Sequence, residues 1–233
     1  MTTPAVNETV QRRLWLTAGW LSIAYVVVTF AVSPAYTSVV TGLGESPSKV
    51  AKALVASSMT TGFAGAYGEL VAVLVFLVGG SLMAQLLRGD GVVASWLASC
   101  MAGAAVTYVA IVIATGAATA AALYNGHHGV SVDAITPVAA IGNFGFSLSG
   151  AAAGVFVLAS SAAGQVSRLL PRWFTVIGYV VGVACLTAVL AARSGAPQMM
   201  LWYLWLVGFG VLALRRTRRA APAPSAVAVG TPA

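Results

Sequence analysis

The sequence predicts an all-α bundle of helices that crosses a membrane, and three observations lead to this fold class. Of the 233 residues, 59% are hydrophobic and 7% are charged, which is more apolar than a soluble domain of this length. Several uncharged runs reach the roughly 20 residues that a helix needs to span a bilayer. The basic residues, which raise the formal net charge to +7, lie between these runs. They do not form the basic stripe that nucleic-acid binding requires, so no nucleic-acid partner is expected.

Six apolar runs define the expected transmembrane helices, and polar turns separate them. The runs are 14–32, 65–87, 92–123, 134–162, 173–192 and 198–214. The third run would form about 48 Å of helix at ~1.5 Å per residue, so we expect it to tilt, kink or project beyond the ~30 Å core. Trp202, Tyr203 and Trp205 open the sixth run, and we interpret them as an aromatic belt at the membrane interface.

The segments outside these runs are expected to be two disordered tails and one long connector. Residues 1–11 are polar, and the tail 215–233 combines an arginine cluster with an Ala/Pro/Ser/Val/Gly stretch that cannot bury a core. Within the connector 33–61, Ser46 and Pro47 have the pattern of an N-cap followed by a first-turn proline. This pattern predicts a short surface helix from Lys49 to Ser57.

The distribution of basic residues predicts the orientation of the chain. With six spans, one side of the membrane holds nine Lys and Arg residues and the other holds three. The positive-inside rule then places both termini in the cytoplasm of a multi-pass cell-membrane protein. The connector 33–61 and the loop with His127 and His128 would lie outside.

The fourth and fifth spans form a hairpin with matched glycines. Gly150 and Gly154 on the first arm, and Gly178 and Gly182 on the second, are small-xxx-small pairs that let helix backbones approach closely in lipid. Counted from the connector, Gly154 should lie level with Gly178, and Gly150 level with Gly182. We interpret this hairpin as the nucleus of the bundle.

The hairpin also carries a resemblance to a known group of proteins. The elements Asn143-Phe144-Gly145-Phe146, Leu169-Leu170-Pro171-Arg172-Trp173 and Ile177-Gly178-Tyr179-Val180-Val181-Gly182 resemble a family of uncharacterised bacterial membrane proteins, common in actinobacteria and defined by a domain of unknown function. The similarity covers residues 134–192. It implies a polytopic inner-membrane protein and brings no activity, cofactor or catalytic residue.

Three polar residues inside the spans are candidates for ligand binding or transport. Glu69 is the only acid within a span, and such groups usually face a cavity or a partner. It is expected within the first turn or two of the outer end, so an interfacial acid is the alternative interpretation. Asn143 lies near mid-membrane, where its amide needs another helix or a substrate as partner. Tyr108 and three threonines of the third span can line a polar path with Asn143, although threonines also bond to their own helix.

Polar residues in two loops are further candidates. His127, His128 and Asp133 share the outer side with Glu69 and are weak candidates for a zinc or copper site, since adjacent histidines lack the spacing of two ligands on one helix face. An ordinary turn is the alternative for them. Arg168 and Arg172 are candidates for binding anionic lipid headgroups, and a topology-setting loop is the alternative.

The sequence contains no motif for a familiar catalytic chemistry. It lacks a phosphate-binding Gly-rich Lys loop, Gly-x-Ser-x-Gly, Cys-x-x-Cys and His-Glu-x-x-His, and neither a catalytic residue nor a cofactor is expected. Our leading hypothesis is non-enzymatic binding of a hydrophobic small molecule or lipid, or a role as a membrane partner subunit, with membrane lipids as partners. The alternatives are a small transporter using Glu69 and Asn143, and a membrane-embedded enzyme acting on a lipid or isoprenoid with Glu69 as acid.

Overall fold

The computed structural model describes residues 4–37, 46–89, 91–188 and 195–219, and these residues form seven α-helices without any strand. The helices are α1 (Pro4–Thr37), α2 (Pro47–Ala56), α3 (Met59–Leu87), α4 (Val92–His127), α5 (Val132–Val166), α6 (Arg172–Ala188) and α7 (Gly195–Arg219).

The six longer helices form a closed ring in the order of the chain. Helix α1 packs against α3, α3 against α4, α4 against α5, α5 against α6, and α6 against α7, which returns to α1. Helix α5 also reaches α3 and α7 through the interior. Short connections between antiparallel neighbours favour this arrangement. The buried side chains of all six helices therefore meet in one core.

The short helix expected in the connector 33–61 is confirmed as α2. The Ser46 hydroxyl accepts a hydrogen bond from the Lys49 amide, and Pro47 occupies the first turn, as the N-cap pattern predicts. Ala51 and Leu54 are buried against α4 and α5. Helix α2 thus covers one end of these two helices.

Both tails contain more helix than the sequence predicts. Helix α1 begins at Pro4, so the expectation of disorder up to residue 11 is wrong for residues 4–11. Glu8 and Arg12 lie four residues apart, a spacing that stabilises a helix. Helix α7 continues through Arg219, because arginine is a good helix former and basic side chains suit a helix C-terminus. Residues 220–233 lie outside the described residues.

Within the described residues, five helical segments are long and apolar enough to cross a membrane. They are Glu8–Val32, Met59–Leu87, Val92–His127, Leu148–Val166 and Met199–Arg218. Helix α6, which corresponds to the fifth expected span, has 17 residues and a length of about 26 Å, less than a ~30 Å hydrocarbon core. The expected residues 189–192 of that span lie outside the described part of the chain.

The α5–α6 hairpin brings its glycines together in a different register from the predicted one. A Cβ atom added at Gly154 would lie 2.7 Å from the Gly182 carbonyl oxygen, and one added at Gly182 would lie 3.0 Å from the Gly154 carbonyl oxygen. Gly178 instead contacts the Ser161 side chain, and Gly150 faces the Cys185 carbonyl. The predicted pairing of Gly154 with Gly178 is therefore wrong by one helical turn. The reason is that α5 continues to Val166, four residues beyond the predicted end at Ala162.

A second close crossing joins α1 to α7. A Cβ atom added at Gly19 would lie 3.0 Å from the Gly210 carbonyl oxygen, and one added at Gly210 would lie 2.8 Å from the Gly19 carbonyl oxygen. Close backbone approach of this kind needs residues without side chains. The sequence shows no small-xxx-small pair at either position, so this crossing was not predicted.

We expect Gly154→Ala to lower the free energy of unfolding by about 1–3 kcal/mol, because the added methyl group would force α5 away from the Gly182 carbonyl. Thermal unfolding in mild detergent measures this change. Gly103→Ala is the matched control, since apart from the backbone of α4 no described atom lies within 4 Å of a Cβ atom added there, on the exposed face of the helix. This control should be neutral or more stable by up to about 1 kcal/mol. Equal losses in the two variants would contradict the close crossing.

Candidate functional site

Five aromatic side chains from five helices fill the centre of the bundle, and we call them the aromatic core. Phe76 on α3 lies at its middle, with its ring centroid 5.1–5.3 Å from those of the other four. All five are at most 3% exposed. They are Tyr25, Phe76, Tyr108, Phe156 and Trp202. These rings close the interior of the bundle at their level.

The aromatic core contains a hydrogen bond that crosses the bundle. The hydroxyl oxygens of Tyr25 and Tyr108 are 2.6 Å apart, and this contact joins α1 to α4, which are not neighbours in the ring. The Tyr203 ring packs 6.0 Å from that of Tyr25. Tyr203 is 8% exposed, so its hydroxyl belongs to the same buried polar centre.

The structure places Glu69 deeper than the sequence predicts. Helix α3 begins at Met59, so Glu69 is its eleventh residue and lies about 15 Å from the helix start. If a ~30 Å membrane core is centred on this helix, Glu69 lies about 8 Å inside it. The expected position in the first turn or two was wrong because the sequence-based start of the span, residue 65, omitted six helical residues.

Glu69 is half-buried between α3 and α4, beside a glycine. A Cβ atom added at Gly116 would lie 3.8 Å from the Glu69 Oε2 atom. Apart from the backbone of α4 itself, no other described atom lies within 4 Å of that position. The carboxyl also interacts electrostatically with Tyr108 and Tyr203. We call the contact of Glu69 with Gly116, between α3 and α4, the Glu69 notch. It combines one acidic group with the absent side chain of a glycine.

The remaining polar candidates on α4 and α5 are threonines that bond within their own helix and Asn143. The hydroxyls of Thr107, Thr115 and Thr119 donate hydrogen bonds to carbonyls of α4 itself. Asn143 belongs to α5, but its side chain lies outside the described part of the structure. Its neighbours in α5, Gly142 and Gly145, pack against Thr119 and Thr115. The backbone around Asn143 therefore lies beside the turn of α4 that contains Gly116.

The histidines of the α4–α5 loop and nearby Asp133 make local contacts or are exposed. The His127 Nε2 atom lies 2.8 Å from the Ser57 carbonyl oxygen and joins the end of α4 to the α2–α3 turn. His128 stacks on Tyr124 and bonds to its carbonyl oxygen. Asp133 is exposed in the first turn of α5. The described residues include no group of three His, Cys, Asp or Glu side chains that can hold a metal, so these residues and Glu69 are not brought together.

Arg168 and Arg172 are exposed at the opposite end of the bundle. Arg168 follows the last turn of α5 and has a φ of 56°, a left-handed conformation that glycine usually occupies at the end of a helix. Arg172 begins α6. Neither residue approaches Glu69 along the chain or in space, so the predicted candidates fall into two separate regions.

The interpretation of Trp202, Tyr203 and Trp205 as an interfacial belt is wrong. Their exposed fractions are 0%, 8% and 2%, so they face the interior of the bundle rather than lipid headgroups. Helix α7 begins at Gly195, which places Trp202 two turns inside it. Sequence reasoning also missed Tyr25 and Phe76. A polar hydroxyl in the middle of an apolar run was the available signal for Tyr25.

An all-helical ring with five membrane-length helices defines a multi-pass membrane protein. Comparison with protein families, curated proteins and solved structures finds no match. The resemblance to a bacterial family of unknown function therefore stays a prediction.

We expect Tyr108→Phe to lower the free energy of unfolding by about 1–2 kcal/mol, because the Tyr25 hydroxyl would lose its partner while remaining buried. Thermal unfolding in detergent measures the loss. Tyr67→Phe removes a hydroxyl from a side chain that is 70% exposed and should change stability by less than about 0.5 kcal/mol. The double variant Tyr25→Phe with Tyr108→Phe should lose less than the sum of the single losses. Strict additivity would show that the hydrogen bond contributes nothing.

Proposed function

We propose that the chain crosses the cell membrane six times with both termini in the cytoplasm. The ring of helices supports α6 as the sixth span, because it lies between α5 and α7, two helices that are both of membrane-spanning character. An even number of spans agrees with the nine-to-three distribution of basic residues.

We propose that the protein binds a hydrophobic small molecule or lipid at the Glu69 notch, without enzymatic chemistry. The juxtaposition of Glu69 with the open side of Gly116 supports this function most directly. Ionisable groups inside membrane bundles often mark ligand or substrate sites, and a ligand with a hydrogen-bond donor or positive charge suits a carboxyl group.

The closed aromatic core favours binding over passage through the bundle. Phe76 and its four neighbouring rings seal the interior on the inner side of the notch. The glycine crossing of α5 and α6 leaves no side-chain space between those helices. A molecule can reach Glu69 from the outer half of the membrane or from the lipid between α3 and α4. The aromatic core then blocks its passage further into the bundle.

Native mass spectrometry of the protein purified in mild detergent tests this function. We expect a discrete retained molecule in the wild type, and its loss in both Glu69→Gln and Gly116→Leu. The first variant removes the charge, whereas the second fills the notch and keeps the charge. Asp133→Asn is the matched control, since Asp133 is an exposed acid on the same side.

Retention of the molecule in both notch variants would contradict the proposed site. A wild-type protein without any retained molecule would contradict tight binding and support the role of a membrane partner subunit. Thermal unfolding of each variant shows whether the fold is preserved, so that loss of binding is separated from loss of structure.

A second candidate function is a small transporter that uses Glu69 and Asn143. One observation favours it: the Asn143 backbone lies beside the turn of α4 that contains Gly116, the residue that Glu69 contacts. Transport would require the aromatic core to open, and the Tyr25–Tyr108 hydrogen bond would have to break in that step.

Proteoliposome uptake of tetraphenylphosphonium, a hydrophobic cation, tests the transporter. Under an imposed pH gradient, uptake should exceed that of empty liposomes and should fall at least about tenfold in Glu69→Gln, because the side chain can no longer lose a proton. Asn143→Ala should also reduce uptake, whereas Asp133→Asn should not. Equal uptake by wild type and Glu69→Gln would exclude Glu69 from any transport step.

A further inference from the structure

Several turns meet at the end of the bundle opposite to the Glu69 notch. A Cβ atom added at Gly89, in the α3–α4 turn, would lie 3.7 Å from the Ser167 Cβ atom at the end of α5. The Arg216 side chain of α7 donates a hydrogen bond of 2.8 Å to the Leu169 carbonyl in the α5–α6 turn. These contacts place α3, α5, α6 and α7 around one common surface, which we call the basic end.

The basic end carries a large excess of positive charge. By sequence, the chain segments that adjoin this end of the bundle contain nine arginines and two acids, Glu8 and Asp90. The described arginine side chains of the α3–α4 turn, of the α5–α6 turn and of the last turn of α7 are exposed. Those that the structure describes there are Arg88, Arg168, Arg172, Arg215, Arg216 and Arg218.

One of these arginines has a structural role, which separates it from the others. Arg216 lies 5.0 Å above the Trp15 ring and bonds to the Leu169 carbonyl, so it fastens α7 to α1 and to the α5–α6 turn. Arg168 and Arg172 extend from that same turn into solvent. Arg88 lies in the turn next to it, with its Nε atom 3.3 Å from the Ser95 hydroxyl.

Arg168 occupies a backbone conformation that disfavours any side chain. Its φ of 56° is left-handed, and the amides of Leu169 and Leu170 bond back to the Gly164 carbonyl, as at a helix end that usually carries glycine. Strained residues of this kind are concentrated at functional sites. Glycine at position 168 would thus make the turn more stable, yet the chain has an arginine there.

Next to these arginines, α6 exposes an apolar face. Trp173, Val176 and Val180 are 59%, 59% and 64% exposed and lie on successive turns of the helix. Tryptophan at the first turn of a membrane helix typically lies at headgroup level. The charged surface therefore lies next to the apolar surface, as the charged headgroup of a phospholipid lies next to its acyl chains.

We propose that Arg168 and Arg172, together with Arg88, bind the phosphodiester headgroup of an anionic phospholipid whose acyl chains lie along the exposed face of α6. Arginine matches phosphate oxygens with two parallel hydrogen bonds, and the surplus of charge favours a headgroup with net negative charge over a zwitterionic one. The continuous apolar face distinguishes a lipid from a soluble phosphate compound. This site is independent of the Glu69 notch.

Lipid titration of the full chain in detergent tests the proposal, with binding followed by native mass spectrometry and thermal unfolding. Phosphatidylglycerol should bind and stabilise the wild type more strongly than phosphatidylcholine. Removing one positive charge, in Arg168→Gln or Arg172→Gln, should weaken phosphatidylglycerol binding about fivefold. Lys52→Gln is the control, because Lys52 is an exposed basic residue on α2 at the other end of the bundle.

Arg168→Gly separates the lipid site from a purely structural turn. This variant relieves the left-handed strain, so it should unfold at a higher temperature than the wild type without lipid, yet gain less from phosphatidylglycerol. Equal responses of the wild type to the two lipids, or full phosphatidylglycerol binding by Arg168→Gln and Arg172→Gln, would overturn the proposal. Stabilisation by inorganic phosphate equal to that by the lipid would assign the arginines to a soluble phosphate compound instead.

Discussion

The packing of four rings around Phe76 is the interaction on which the rest of the bundle depends. In lipid, the hydrophobic effect does not drive helices together, so association relies on shape and on a few polar contacts. Phe76 brings α1, α4, α5 and α7 to one point of α3. The Tyr25–Tyr108 hydrogen bond then fixes which faces of α1 and α4 turn inward.

The existence of the long helices could be predicted from the sequence, because uncharged runs of that length have few alternatives in water or lipid. Register and orientation within the bundle could not. The α5–α6 crossing differs by one turn because Gly164 does not end α5, which continues to Val166. Trp202 and Trp205 were interpreted as a belt at the membrane interface. When both faces of a helix are apolar, periodicity does not distinguish the core-facing side from the lipid-facing side.

The sequence predicted the candidate site only at residues whose type is rare within apolar spans. Glu69 could be identified because it is the only acid in a predicted span. Its neighbour Gly116 could not, since the two meet only through the packing of α3 on α4. Tyr108 was selected for its hydroxyl, but its partner Tyr25 is 83 residues away in the chain. Contacts between such distant positions follow from the three-dimensional arrangement and leave no local pattern.

The crossing of Gly19 with Gly210 has a consequence for biogenesis. It joins the first described helix to the last one, so this interface has to wait until every other helix has left the ribosome. Trp202 arrives with the same helix, and until then Phe76 lacks one of its four neighbouring rings. An insertion intermediate without α7 therefore has an open ring of helices, and its aromatic core lacks Trp202. Its exposed glycine and aromatic surfaces are features that membrane quality-control proteases and insertion chaperones can recognise.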